Sequence, residues 1–149
     1  MAVHVSAPLT GKAIRLVEVP DPVFATAMVG PGLAIEPARA SDTVVAPVAG
    51  KLVKLKAHAL VVLADGGRGV LVHLGIDTVR LGGEGFTLLA TEGDTVEAGQ
   101  PLVRWNPTDV AARGFSSICP VVALDAANDA VEALASGPID VGAPLFTWT

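Results

Sequence analysis

Residues 57–78 read AHALVVLADGGRGVLVHLGIDT, two apolar runs separated by a cluster of turn residues. Val and Leu dominate both runs, and Asp65-Gly66 followed by Gly67 is a strong hairpin signal. The stretch therefore predicts two antiparallel strands. Alternation along the second puts Leu71 and His73 on one face and Val70, Val72 and Leu74 on the other. With Asp65 and Gly66 as central turn residues, Ala64 faces Gly67, Leu60 faces Leu71 and His58 faces His73. Cross-strand Cβ atoms then lie about 5 Å apart, so the two imidazoles are neighbours. A three-residue loop would instead send them to opposite faces, because one residue of slip inverts every side chain.

The surrounding chain repeats itself. Ala7-Pro8-Leu9-Thr10-Gly11-Lys12 recurs as Ala46-Pro47-Val48-Ala49-Gly50-Lys51, each copy a Pro-Gly turn entering an apolar strand. AGQPLVRW, ending at Trp105, recurs as VGAPLFTW, ending at Trp148. Strand signals separated by Gly and Pro come at intervals of roughly ten residues. The expected fold is all-β: an antiparallel sandwich or barrel-sandwich hybrid with internal duplication, one domain over residues 1–149.

Short helices are accessory to that plan. Asn106-Pro107-Thr108 reads as a cap followed by a first-position proline, with Gly114 closing the turn. DAANDAVEALASG predicts a second helix, begun by Asp125 or Asn128 and stopped by Gly137. Between the first repeats, Pro20, Pro22 and Pro31 argue against a regular helix or a central strand. Val23, Phe24, Met28 and Val29 there are either an apolar surface loop or core, and composition favours core.

Composition narrows the function. Fifteen acidic residues against ten Lys and Arg give a net charge of −5, with no basic cluster, which argues against nucleic acid. No apolar run approaches the roughly 20 residues of a membrane span, and the N-terminus lacks a signal pattern, so a cytoplasmic protein with no membrane insertion is expected. Cys119, the single cysteine, lies in the apolar stretch SSICPVVAL and reads as a small buried hydrophobe.

The segments APLTG, VPDPVFATAMVGPGLAI, VAPVAG, AHALVV, VHLGIDTVRLGGEGF, EGDTVEAGQPL and CPVV carry a resemblance. From about Ser6 to Trp148 the chain resembles the IIA domain of the glucose-type sugar phosphotransferase system. The resemblance implies that His73 carries a covalent phosphate with no other cofactor. The histidine phosphocarrier protein HPr would supply it, and a cysteine on the IIB domain of a glucose- or N-acetylglucosamine-type membrane permease would receive it. His58 would be its neighbour in the site, and the Gly75 carbonyl would fix the tautomer of His73. Thr78 either supplies a hydroxyl or caps its own turn. Around the site, Leu71 shares the His73 face, and the resemblance adds Val23, Phe24, Val29 and Val79 as an apolar docking surface. Asp21 and Asp77 are either rim carboxylates suited to basic partners or turn caps.

One departure stands out. The segment between Gly50 and His58 is shorter than in familiar members, and Lys56 occupies a position where threonine is usual. Lys56 is then either a solvated edge charge or an attractor of phosphate.

Two other classes compete. Paired histidines beside a carboxylate resemble zinc ligands, so a zinc-dependent hydrolase on a related β scaffold is the alternative, and His58 with His73 could capture adventitious or regulatory zinc. GDTVEAGQPL resembles the turn of lipoyl and biotinyl carriers, yet the lysine tripeptide that such carriers modify is missing.

Overall fold

A computed structural model describes residues 2–38 and 40–149. Among the described residues, fourteen strands alternate with turns and two short helices: β1 Val3–Ser6, β2 Gly11–Arg15, α1 Pro22–Ala25, β3 Gly32–Pro37, β4 Asp42–Val45, β5 Gly50–Leu55 and β6 Ala59–Ala64. β7 Arg68–His73, β8 Phe86–Leu88, β9 Thr95–Val96, β10 Pro101–Trp105, α2 Pro107–Ala112, β11 Cys119–Ala123, β12 Val131–Ala133, β13 Gly137–Ile139 and β14 Pro144–Trp148 complete the order. The all-β expectation holds.

One eight-stranded antiparallel sheet runs in the order β13-β2-β3-β11-β7-β6-β5-β9, and two three-stranded sheets run β1-β14-β12 and β4-β10-β8. These orders reveal the duplication. The large sheet is symmetric about the β11–β7 boundary, so β2 corresponds to β5, β3 to β6 and β11 to β7. The small sheets correspond strand for strand. Residues 42–105 make one half continuously, while 3–37 and 119–148 make the other.

Both sequence echoes sit at equivalent places. The repeated Pro-Gly turns lead into β2 and β5 and lock reciprocally across the axis, Ser6 N–H donating to Pro47 O and Val45 N–H to Pro8 O, each at 2.9 Å. The second echo forms β10 and β14, with Trp105 opposite Asp42 and Trp148 opposite Val3. Alternation along the large sheet divides the apolar residues between two clusters. Leu33, Ile35, Val70, Val72 and Val121 join Trp105, Phe146 and Leu9 in the main core between the sheets. Ala34 and Val122 point the other way, into a smaller cluster with Leu16, Val19, Phe24 and Ile76.

The hairpin is real but its register differs from the sequence expectation. Ala64 pairs with Arg68, Leu60 with Val72, and His73 faces Ala59 rather than His58. The loop is three residues long, Asp65 to Gly67, because Gly66 and Gly67 both take left-handed dihedrals, φ 78° and 74°, and close the turn one residue wider.

Two further expectations need correction. DAANDAVEALASG is not helical: after a single 3₁₀ turn, Val131, Glu132 and Ala133 pair with Trp148, Thr147 and Phe146 as edge strand β12. Tertiary pairing along β14 overrides the helix propensity of Ala and Glu, and Asp125, at φ 59°, breaks the chain before a helix could start. The prolines of 19–37 also exclude less than expected. Pro22 sits in the first turn of α1, where its missing N–H costs nothing, and β3 is a central strand that keeps Pro37 at its end. By contrast α2 begins where the sequence placed it, with the Asn106 side chain accepting from Asp109 N–H at 2.9 Å.

Candidate functional site

β7 ends at His73, and the chain then turns sharply at Gly75. A φ of 79° there suits glycine, and a Cβ would meet Thr78 Cγ2 at 2.7 Å and the Ser116 carbonyl at 2.8 Å. The turn is held from two sides. Ile76 N–H donates to Ser116 O at 2.9 Å, and the Thr78 hydroxyl donates to Leu74 O at 2.7 Å. Thr78 is 1% exposed, so its hydroxyl braces the turn and does not face the site.

That turn aims the Gly75 carbonyl at the histidine ring, with His73 Nδ1 2.5 Å from the oxygen. A carbonyl can only accept, so Nδ1 carries the proton and the lone pair of the neutral ring is on Nε2. The imidazole is half-buried, and burial pushes its pKa below the ordinary value, although the Gly75 carbonyl and the Asp21 and Asp77 carboxylates pull the other way.

His58 reaches the same place by a route the strand arithmetic misses. It lies before β6, in the tight turn that follows β5, where Lys56 N–H donates to Ala59 O at 2.8 Å. Outside the pleat, its side chain is not bound by strand alternation. The two rings stand edge to face with centroids 5.4 Å apart. Burial lowers the pKa of His58, and charge repulsion from His73 and Lys56 adds to this. Lys56 itself is exposed.

The apolar surround comes largely from the other half of the duplication. Segment 16–31 joins β2 to β3 and folds back over the smaller apolar cluster, placing the Phe24 ring 5.3 Å from His73. Leu71 and Val29 pack against that cluster from its edge. Burying Phe24 to 8% exposure contributes about 1.5–3 kcal/mol and fixes the segment against the sheet. Val23 and Val79 remain exposed at 42% and 60%. The stretch is therefore neither simply core nor a free loop: Phe24 is buried, Val29 half-buried and Val23 exposed. Met28, in the same segment, is 74% exposed, although the sequence groups it with Phe24. Its position beside the left-handed Ala27, at φ 56°, offers no periodic signal to find it by.

Asp21 serves two purposes. Its carboxylate accepts from Val23 N–H at 2.8 Å and so caps α1, while its charge acts on His73. Asp77 takes a left-handed conformation, φ 60°, ahead of the 3₁₀ turn Thr78–Leu81 and is exposed. Cys119 is fully buried and its thiol is pushed up to about 12, so it offers no nucleophile.

Residues 3–129 match the family model described as phosphoenolpyruvate-dependent sugar phosphotransferase system, EIIA 1. The chain belongs to this family. Among EIIA relatives, a glucose-specific EIIA component of Oceanobacillus iheyensis is 42% identical over 128 residues, 85% of this chain and 76% of that one. A mannose-specific EIIBCA component of Corynebacterium glutamicum is 45% identical over 128 residues, and the chain spans 18% of its length. The same share of a glucose-specific EIIBCA component from that organism is matched. Among solved structures, glucose permease IIA from Mycoplasma capricolum superposes with a TM-score of 0.91 at 34% identity, over 99% of this chain and 96% of that one.

None of these likenesses supports a zinc hydrolase. Among the described residues, no group of three His, Cys, Asp or Glu side chains is placed to hold a metal ion, and no helix is long and apolar enough to cross a membrane.

Proposed function

We propose that His73 accepts a phosphoryl group from phosphorylated HPr and passes it to a cysteine of the IIB domain of a sugar permease. The observation that carries this reading is the hydrogen bond from His73 Nδ1–H to the Gly75 carbonyl, which leaves the Nε2 lone pair as the nucleophile. In the first step Nε2 forms a bond to phosphorus as the donor's N–P bond breaks. In the second a cysteine thiolate of IIB attacks phosphorus and Nε2 leaves with its electron pair. The Gly75 carbonyl dipole stabilises the positive charge that the phosphorylated ring develops. Such a loose, metaphosphate-like transfer needs alignment and donors on the equatorial oxygens. His58, its ring 5.4 Å from that of His73, supplies an N–H donor, and the transfer needs no cofactor.

Partner choice rests on the surround. Phe24, Val23, Val29, Leu71 and Val79 exclude water, and Asp21 with Asp77 orients basic side chains on the incoming domain. The EIIBCA relatives, which carry an EIIA-like segment within a longer chain, support a IIB domain as the receiving partner. A glucose- or N-acetylglucosamine-type permease is the class that fits the resemblance.

Incubation with phosphoenolpyruvate, enzyme I and HPr, followed by intact mass measurement, tests the reading. One phosphoryl group per chain is expected, labile in acid and stable in base, and absent from His73→Ala. Phosphorylation of that variant to the level of the unaltered chain would overturn the assignment.

A further inference from the structure

The charge around the candidate acceptor does not balance for a phosphorylated state. Asp21 and Asp77 both act on His73, and burial favours the neutral form of both imidazoles. A phosphoryl group adds about −1.5 to −2 near neutral pH. Placed beside two carboxylates in a half-apolar setting, it meets repulsion that one N–H of a neutral His58 offsets only in part.

The turn between β5 and β6 carries a cation to this place. Lys56 N–H donates to Ala59 O at 2.8 Å, and Ala59 is the residue directly opposite His73 in the sheet. Lys56 thus belongs to the same four-residue turn as His58. Its charge acts on the His58 ring, which stands 5.4 Å, centroid to centroid, from the ring of His73. It is exposed, and both ion pairs found among the described residues, to Glu84 and to Asp109, are made by Arg113. A long, flexible stem lets such an ammonium swing onto a neighbouring anion without moving the backbone.

We propose that Lys56 is a phosphoryl-binding residue, its ammonium pairing with the phosphoryl oxygens on His73 and offsetting Asp21 and Asp77. This deepens the acceptor reading of His73 and rests on it. The pairing exists only in the phosphorylated state, so Lys56 holds phosphate on this chain against return to the donor. A lysine that is merely a solvated edge charge would leave that balance untouched.

The experiment compares the unaltered chain with Lys56→Met, Lys56→Gln and Lys56→Arg, each equilibrated with HPr, enzyme I and phosphoenolpyruvate–pyruvate mixtures and read by intact mass. Because Lys56 is exposed, thermal midpoints should stay close to that of the unaltered chain. Lys56→Met and Lys56→Gln should lower the equilibrium constant for phosphoryl transfer onto the chain by roughly tenfold, a difference that narrows in 1 M salt, where the Debye length falls to about 3 Å. Phosphorus NMR should show the phosphoryl group titrating at higher pH in both, and Lys56→Arg should restore both readouts. Unchanged equilibrium and phosphoryl titration in Lys56→Met and Lys56→Gln would overturn the inference while leaving His73 as acceptor. Failure of the unaltered chain to be phosphorylated would overturn the acceptor reading instead, and this inference with it.

Discussion

The main-chain carbonyl of His58 accepts the Leu74 N–H at 2.7 Å, so the residue bearing the second imidazole is tied to the residue that follows the first. This bond takes over where the β6–β7 ladder stops. It holds the two rings together although the ladder pairs His73 with Ala59. The separation of the imidazoles is set by backbone, and either side chain can be changed without dissolving the turn.

The first prediction follows from that independence. His58→Gln removes the imidazole and leaves the His58–Leu74 bond intact, so the variant should fold with an unchanged thermal midpoint. Phosphoryl transfer, particularly onward to IIB, should slow by roughly 100-fold or more. Rapid-quench measurement of both half-reactions decides; transfer at the native rate makes His58 a bystander.

Gly75 should be far less tolerant. Gly75→Ala places a methyl against Thr78 and the Ser116 carbonyl in a left-handed conformation, a combination expected to cost about 1–3 kcal/mol or more. The carbonyl that holds Nδ1–H would move with it. Denaturant titration should show the loss of stability, and ¹⁵N NMR of the imidazole should show the fixed tautomer giving way to a mixture. A variant with native stability and a single tautomer would contradict the role given to this turn.

Stability should fall as pH drops below about 6.5. Both imidazoles titrate near that value when unfolded, and lower when folded because burial opposes the charged form. Between the two values the unfolded chain binds more protons, so the contribution is complete above about 6.5 and is lost as pH falls toward the folded pKa. Asp21 and Asp77, which favour the charged ring of His73, narrow that window, and Lys56 widens it for His58. Denaturation midpoints at pH 7.5 and 5.5 should differ more in the unaltered chain than in His58→Gln with His73→Gln; equal differences would refute the linkage.

The rim carboxylates call for substitutions that spare the backbone. Because Asp21 caps α1, Asp21→Lys would lose the cap as well as the charge, about 0.5–2 kcal/mol. Asn caps equally well and tolerates the left-handed conformation of Asp77. Asp21→Asn with Asp77→Asn should therefore keep the thermal midpoint. The association rate with HPr should drop by about tenfold at low salt and converge on the native rate at high salt. Stopped-flow rates independent of the substitutions at every salt concentration would reduce both residues to turn structure.

The duplication and the site were unequally legible from the sequence. The Pro-Gly and Pro-Leu echoes mark both halves because turns and buried aromatics constrain residue identity strongly. Strand β12 is hard to read because Val131-Glu132-Ala133 has helical composition and becomes a strand through pairing along β14; its counterpart β8, beside β10, is the clue that the duplication offers. The sequence brings His58 and His73 together through a register one residue off. Two consecutive left-handed glycines lengthened the loop, and departure of His58 from the strand undid the consequence. Segment 16–31 was hardest to read, since its apolar residues divide between a buried Phe24 and an exposed Met28 by position in a single irregular fold-back.

Ala123 N–H donates to Pro31 O at 2.8 Å at the place in one half where Leu74 N–H meets His58 O in the other. The halves thus offer two equivalent strand ends, and they differ in what connects the strands: a four-residue turn between β5 and β6, a long fold-back between β2 and β3. Where the turn is tight, the strand end is open and bears imidazoles. Where the connection is long, Val122 lies beneath Phe24 and the apolar side chains are exported toward the neighbouring half. Under the proposed function, duplication becomes a division of labour, in which one copy keeps the chemistry and the other supplies most of the contacts. Drift in segment 16–31 can then alter which proteins are met without touching the atoms that react.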